Sequence, residues 1–479
     1  MTNSEVTPSS SRNFFAGVDL WAILLYVVIV LIGCMCITSA TFDETSTDYF
    51  SFSHFYIKQL LWVSVAFLSA IFVLLVDSNI FHKYSYMLYL FGVLLLILTL
   101  IFGREVNGAK SWFEFGAFRI QPVELVKIST AMVMARVMSE HTFSIARVDS
   151  LAKVALVIAI PLGIIILQND TGSGIVFCSF LLVLYREGLN TWLITPLLLV
   201  VTLFILSFLL TPLALLLLSI GICLLYDALI SGDVKLHIIY FATLFLGSTI
   251  LTLYTQLFMV EPLSTYAVIL IVSAIMLPFA ITWAVRLARM QTLIIIGMFT
   301  FANLFVPLCS YIFNSILRSH QQNRIMSFLG IVSDPLGIDY NVNQSKIAIG
   351  SGGFWGKGFL NGTQIKYGFV PEKHTDFIFC DLAEEWGFIG VLFLLGALFA
   401  LIWRLIMMGE RQVESFGRVY CYCVASILLF HIFVNVGMTV GLMPVMGIPL
   451  PFMSYGGSSL VAFTIMLFIA FRLDSAVRR

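Results

Sequence analysis

The sequence predicts an all-α polytopic integral membrane protein with about fourteen spans. Three observations carry that prediction. Of 479 residues, 60% are hydrophobic and only 11% are charged, against about 25% charged in soluble domains. Apolar runs of about twenty residues, the length a helix needs to cross a bilayer, recur along the whole chain. The shorter alternating segments of a membrane barrel do not occur in the sequence, and helices are the other structure that satisfies its own backbone in lipid.

In order, the runs are 20–40, 57–76, 85–102, 121–138, 153–168, 174–188, 191–210, 213–230, 235–255, 264–286, 291–313, 380–404, 419–440 and 459–473. Runs 153–168 and 174–188 are short and split by the polar turn Asn169-Asp170-Thr171-Gly172-Ser173-Gly174. Residues 191–290 are almost purely Leu, Ile, Val and Phe, so they read as an inserted four-span bundle. The chain then divides into a tail 1–18, a first core half 19–190, the insertion, and a second core half 291–479 with a large outer loop 314–379.

Orientation follows from basic residues in short loops. With residues 1–18 inside and uncleaved, Lys83, Arg147, Lys153, Arg186, Lys235, Arg404, Arg411, Arg418, Arg478 and others fall inside, and both termini are cytoplasmic. Loops 103–120 and 314–379 lie outside yet carry Arg104, Lys110, Arg119, Arg318, Arg324, Lys346, Lys357, Lys366 and Lys373. Solvated loop faces or an anionic ligand account for them. Lys+Arg and Asp+Glu both number 26, so bulk charge gives no pointer to nucleic acid. The eight cysteines lack metal-ligand spacing with a nearby histidine and read as packing residues.

Four outer segments are polar where lipid alone would not require it. In the first, Asn107-Gly-Ala-Lys110-Ser-Trp112 precedes Gln121-Pro-Val-Glu124 and Lys127. Glu124 and Lys127 share a helix face and either close the bundle or mark a site. Trp112 is an interfacial belt residue or faces a ligand. In the second, Asp170 caps the following helix or lines a cavity. The third runs from Arg318, Gln321 and Arg324 through Asp334-Pro-Leu-Gly337 and Gln344 to Lys346. Gly350-Ser-Gly-Gly353 and Gly356-Lys357-Gly358 follow, with amides able to face an anion, then Glu372, His374, Thr375 and Asp376. The next span carries Asp381, Glu384 and Glu385. The fourth is Pro449-Leu-Pro-Phe-Met-Ser454-Tyr-Gly-Gly-Ser-Ser459, irregular backbone that survives at membrane depth only when buried or lining a wet cavity.

These motifs together resemble the SEDS family (FtsW/RodA/SpoVE), the multispan polymerases of cell-wall glycan. The resemblance covers residues 15–190 and 291–479, and Ser345-Lys-Ile347, Gly356-Lys-Gly358 and Asn361-Gly-Thr-Gln364 are similar to the elongation members more than to the division members. It implies a ten-span core, which makes 191–290 extra. Residue 169 is Asn where the family usually has Pro.

The activity implied is peptidoglycan glycosyltransfer on the outer face of the bacterial cytoplasmic membrane, polymerising lipid II into glycan strands during elongation. Inversion at the donor sugar asks for one displacement, with a base for the acceptor hydroxyl and cations at the departing pyrophosphate. The family's essential loop aspartate matches Asp334, the expected catalytic base. The substrate-binding set implied is Lys110, Trp112, Glu124, Lys127, Asp170, Arg318, Gln321, Arg324, Gln344, Lys346, Lys357, His374, Thr375, Asp376 and Ser454, with no protein metal ligands. A divalent cation, Mg or Mn, would sit on the substrate pyrophosphate. Expected partners are lipid II, the growing strand, a class B penicillin-binding protein and other elongation-complex membrane proteins. The rival readings are a lipid II flippase, a division-type polymerase and a scaffold that only anchors a synthase.

Overall fold

The computed structural model describes residues 17–42, 54–106, 108–115, 118–189, 202–230, 234–259, 263–286, 290–317, 319–331, 337 and 339–478. Asn107, Arg318 and Asp334 lie outside the described residues. Nine helices among the described residues are long and apolar enough to cross a membrane.

By internal contacts the chain forms two units, Met1–Asn190 with Ser333–Arg479, and Thr191–Val332. In the first unit, α1 (Leu20–Thr41), α2 (Phe55–Leu75) and α3 (Ser78–Phe102) precede a small sheet. Then come α4 (Pro122–Met138), α5 (Val148–Leu167), the short α6 (Thr171–Val176) and α7 (Phe180–Arg186).

In the second unit, α8 (202–209) precedes α9 (Pro212–Ile230), α10 (Val234–Phe258), α11 (Thr265–Arg286), α12 (Met290–Tyr311) and α13 (Ser319–Phe328). Its core joins Cys223, Phe241, Leu244, Val268, Val272 and Phe299. Helix α12, read as core from the sequence, packs on α9 and α11, so this unit runs beyond residue 290 to Val332.

The first unit resumes with α14 (Tyr340–Ser351), the one-turn α15 (Thr363–Lys366), α16 (Ile378–Arg411), α17 (Ser415–Val440) and α18 (Gly457–Val477). Helix α4 is buried on nearly every face and packs against α3, α5, α17 and α18. That all-round burial marks a core helix rather than a lipid-facing one. Helices α2 with α18, α16 with α17 and α1 with α16 close the bundle.

Three sequence readings are corrected. The chain is mostly helical but not all-α. Arg104–Val106 (β1), Ala109–Phe115 (β2) and Phe118–Ile120 (β3) form an antiparallel sheet of order β1-β2-β3. Val106 pairs with Ala109, and Gly108 at φ +84° occupies the tight connection, where glycine accepts the left-handed backbone. The loop 314–379 contains α13, α14 and α15. The run 174–188 is broken into α6, a 3-10 turn (Phe177–Ser179) and α7.

Candidate active site

The polar motifs of the first unit converge on one irregular stretch, Gly441–Gly456, between α17 and α18. Each arrives from a different element. Asp170 starts α6: its Oδ1 accepts from the Ser173 amide at 3.0 Å, and its Oδ2 accepts from Ser173 Oγ at 2.9 Å and Gln121 Nε2 at 3.0 Å. The capping role therefore holds, and it also ties α6 to the start of α4. Gly172, two residues on, lies so close to the Met446 carbonyl that a Cβ would overlap it. Asn169 has φ +60°, a conformation proline cannot adopt, since its ring holds φ near −65°.

From the other side comes the turn before α16. Asn435 Nδ2 on α17 donates to Asp376 O at 2.9 Å and Ile448 O at 2.7 Å. Tyr455 N donates to His374 O at 2.8 Å, and the His374 ring lies 4.6 Å from Phe55. Burial pushes the His374 imidazole below its usual range, with Glu372 opposing and Lys373 reinforcing. Thr375 Oγ1 donates to Glu372 Oε2 at 3.1 Å. Ser454 is buried, and its Oγ accepts from the Leu450 amide at 2.8 Å, which makes it a turn former.

Helix α14 presents Gln344 and Lys346. Ser345 Oγ donates to Thr439 O at 2.5 Å and ties α14 to α17. Lys346 lies against Gly441, is exposed, and among the described residues makes no side-chain hydrogen bond or ion pair. Lys110, on β2, is likewise exposed; its amide donates to Gln168 O at 3.0 Å. Trp112 is half-buried on the same strand, paired with Arg104.

Other predicted residues are already engaged. Lys127 Nζ lies 2.9 Å from Glu124 and 3.0 Å from His431 Nε2, and 5.0 Å from the Phe463 ring centroid. Glu124 is 4% exposed and Lys127 2%, so the pair closes the bundle. Arg104 and Arg119 both pair with Glu114 across the sheet. Lys357 Nζ donates to Glu384 Oε1 at 2.6 Å, Thr363 Oγ1 at 2.8 Å and Ser351 Oγ at 2.9 Å. The glycine amides expected to face an anion are likewise taken. Gly356 N donates to Gly352 O at 2.8 Å, Lys357 N to Glu384 O at 3.1 Å and Gly358 N to Glu385 O at 2.9 Å. Gln321 and Arg324 sit half-buried on α13 of the second unit.

Two residues that organise the site escaped the sequence reading, His431 and Asn435. Their signal was available: two polar side chains four apart inside the apolar run 419–440. Both are buried, and His431 Nδ1 lies 3.2 Å from Pro449 O. Among the described residues no three His, Cys, Asp or Glu side chains gather to hold a metal ion.

The sequence matches the profile of the FtsW/RodA/SpoVE family, described as a cell cycle protein, over residues 19–219 and 216–479. The chain belongs to this family. It is 32% identical over 444 residues to "Peptidoglycan glycosyltransferase RodA" of Treponema pallidum (strain Nichols), spanning 92% of this chain and 94% of that protein. It is 30% identical over 388 residues to "Peptidoglycan glycosyltransferase MrdB" of Escherichia coli (strain K12), spanning 81% and 76% respectively. The fold resembles a chain from "Structural coordination of polymerization and crosslinking by a peptidoglycan synthase complex", with TM-score 0.59, 23% identity and coverage of 96% of this chain and 98% of that one.

For a member of the FtsW/RodA/SpoVE family, the seam at Gly441–Gly456 has a clear chemical character. Exposed Lys346 on α14 and partly exposed His374 and Thr375 belong to elements tied to it, and among the described residues neither Lys346 nor exposed Lys110 on β2 makes a side-chain pairing. A charge-free wall of Pro, Met, Leu and Phe runs through the same stretch. Such a mixed lining suits a substrate with a charged head and a greasy tail.

Proposed function

We infer that the chain is a peptidoglycan glycosyltransferase of the RodA type, polymerising lipid II at the outer face of the bacterial cytoplasmic membrane during elongation. The observation that carries this reading is the match to glycosyltransferase relatives over nearly the whole chain. The convergence of α6, α14, the 372–376 turn and the Gly441–Gly456 stretch supports it. The reading includes about fourteen spans, both termini cytoplasmic, and a class B penicillin-binding protein and other elongation-complex membrane proteins as partners.

The chemistry assigned to each residue follows from what it can still bind. Asp334 takes the proton from the acceptor hydroxyl as that oxygen attacks the donor's anomeric carbon. General base catalysis of this kind contributes about 10²–10⁴ in rate. The bond to the lipid pyrophosphate breaks in the same displacement, and negative charge grows on the leaving oxygen. Lys110 and Lys346 are the cations offered to it. Lys357 leaves that role because its ammonium neutralises buried Glu384. Glu124 and Lys127 hold the helices that frame the site, and Asp170 fixes the α6 start against it. A divalent cation, Mg or Mn, would be held with the substrate pyrophosphate and would offset charge on the leaving group; among the described residues no three His, Cys, Asp or Glu side chains gather to hold one.

The flippase reading expects broken helices with access from both faces. Lys110 and Lys346, which make no side-chain pairing among the described residues, sit on the elements read as outer, so polymerisation fits better. The test is direct. Purified chain, given lipid II on an accessible face with and without its transpeptidase partner, makes glycan strands. Lipid II moved across a vesicle bilayer without any polymer would favour transport instead.

A further inference from the structure

Helix α16 is not continuous. Gly387 sits at φ +63°, ψ −162° inside it, and the kink frees backbone groups on both sides. The turn 353–358 takes them up. Lys357 N and Gly358 N donate to Glu384 O and Glu385 O at 3.1 and 2.9 Å, while Phe388 N and Ile389 N donate to Gly353 O and Phe354 O at 3.0 and 3.3 Å. Gly356 and Gly387 meet backbone to backbone, so that a Cβ on either would overlap the other segment. The Lys357–Glu384 ion pair locks the clasp from the side.

What this rigid turn leaves uncovered is aromatic. Trp355 is 77% exposed, Phe354 56% and Phe388 55%. Phe354 stacks on Phe388 at 5.8 Å and meets Trp355 edge-on at 5.3 Å. The patch does not stop there. It runs on down α16 through Ile389, Leu392 and Phe393, all exposed, which form the outward face of a membrane-spanning helix.

We propose that the 353–358 turn is a lipid-surface anchor, with Phe354 and Trp355 seated at the boundary between headgroups and acyl chains. Continuity with the lipid-facing stripe of α16 names the occupant. The backbone argument agrees: non-helical chain enters that depth only when its amides and carbonyls are paired, and here α16 takes the Lys357 and Gly358 amides and the Gly353 and Phe354 carbonyls. An exposed indole is suited to that boundary. The anchor fixes the height of α14, which runs directly into the turn. If the polymerase reading holds, it thereby sets Lys346 at the level of a lipid-linked diphosphate; the anchoring itself does not depend on that reading.

The test uses the full chain in proteoliposomes. Subtracting the tryptophan emission of Trp355→Phe from that of wild type isolates the Trp355 component. The substitution keeps an aromatic ring at an exposed position, so the fold is retained. The expected result is strong quenching by lipids brominated near the glycerol backbone, weaker quenching by lipids brominated near the chain ends, and little by aqueous iodide. Quenching by iodide without quenching by either lipid would overturn the proposal, and so would quenching mainly by the chain-end lipids. Neither result bears on whether the protein makes glycan, which the polymerisation assay reads separately.

Discussion

Lys127 on α4 reaches His431 on α17, with Nζ 3.0 Å from Nε2, while holding Glu124 at 2.9 Å. His431 Nδ1 in turn faces Pro449 O at 3.2 Å. A buried ion pair thus connects the helix at the centre of the bundle to the irregular stretch where the candidate site converges. Lys127→Met would strand the Glu124 carboxylate in the core, a cost of about 3–5 kcal/mol. We expect a large drop in the melting temperature of the purified protein. Glu124→Gln with Lys127→Met should recover much of the loss, and a double variant melting as low as the single one would contradict the pairing.

Lys346 and Lys357 both lie near the same glycine-rich motif, yet they should fail differently. Lys357→Met leaves buried Glu384 short of its strongest donor and should cost about 1–3 kcal/mol of stability. Lys346→Met should leave the melting temperature unchanged and lower kcat/KM for lipid II by about tenfold to a hundredfold. Measuring both properties on both variants checks the assignment, and equal behaviour of the two would refute it.

Gly387→Ala places a Cβ against the Gly356 amide at a left-handed position. The backbone strain alone is about 1–3 kcal/mol. Hydrogen exchange should speed up at the Lys357, Gly358, Phe388 and Ile389 amides, which bridge the clasp, and stay slow in the middle of α17. Unchanged protection at those four amides would show that the clasp does not depend on this glycine.

At the other end of the bundle, Asp19 meets Arg404 and Arg478. Burial pushes its carboxyl up, but the Ala22 amide and the Arg404 guanidinium outweigh that and hold it below the ordinary 3.8. In the window below 3.8 the unfolded chain therefore binds more protons than the folded one, and stability rises with pH. The Asp19 contribution is full above that window and is lost as pH falls through it. Asp19→Asn should flatten this part of the melting-temperature profile, and a variant with the wild-type slope would assign it to another group.

The long spans were legible because lipid imposes length and hydropathy that a sequence displays directly. The sheet at 104–120 was not. Its strands are short and carry the charges Arg104, Lys110, Glu114 and Arg119. The site was legible as a set of motifs but not as contacts. Nothing along the chain says that Lys357 is neutralised by Glu384, 27 residues away, or that the glycine amides serve a kinked helix rather than an anion. His431 and Asn435 were hidden by the apolar residues around them.

The central claim rests on Asp334 taking a proton from the acceptor sugar. Its most direct test is polymerisation of lipid II by purified wild type and Asp334→Asn, each with the transpeptidase partner, after matched melting temperatures have shown that both are folded. The account predicts glycan strands from the wild type and none from the variant. Strands made by Asp334→Asn at the wild-type rate would contradict it.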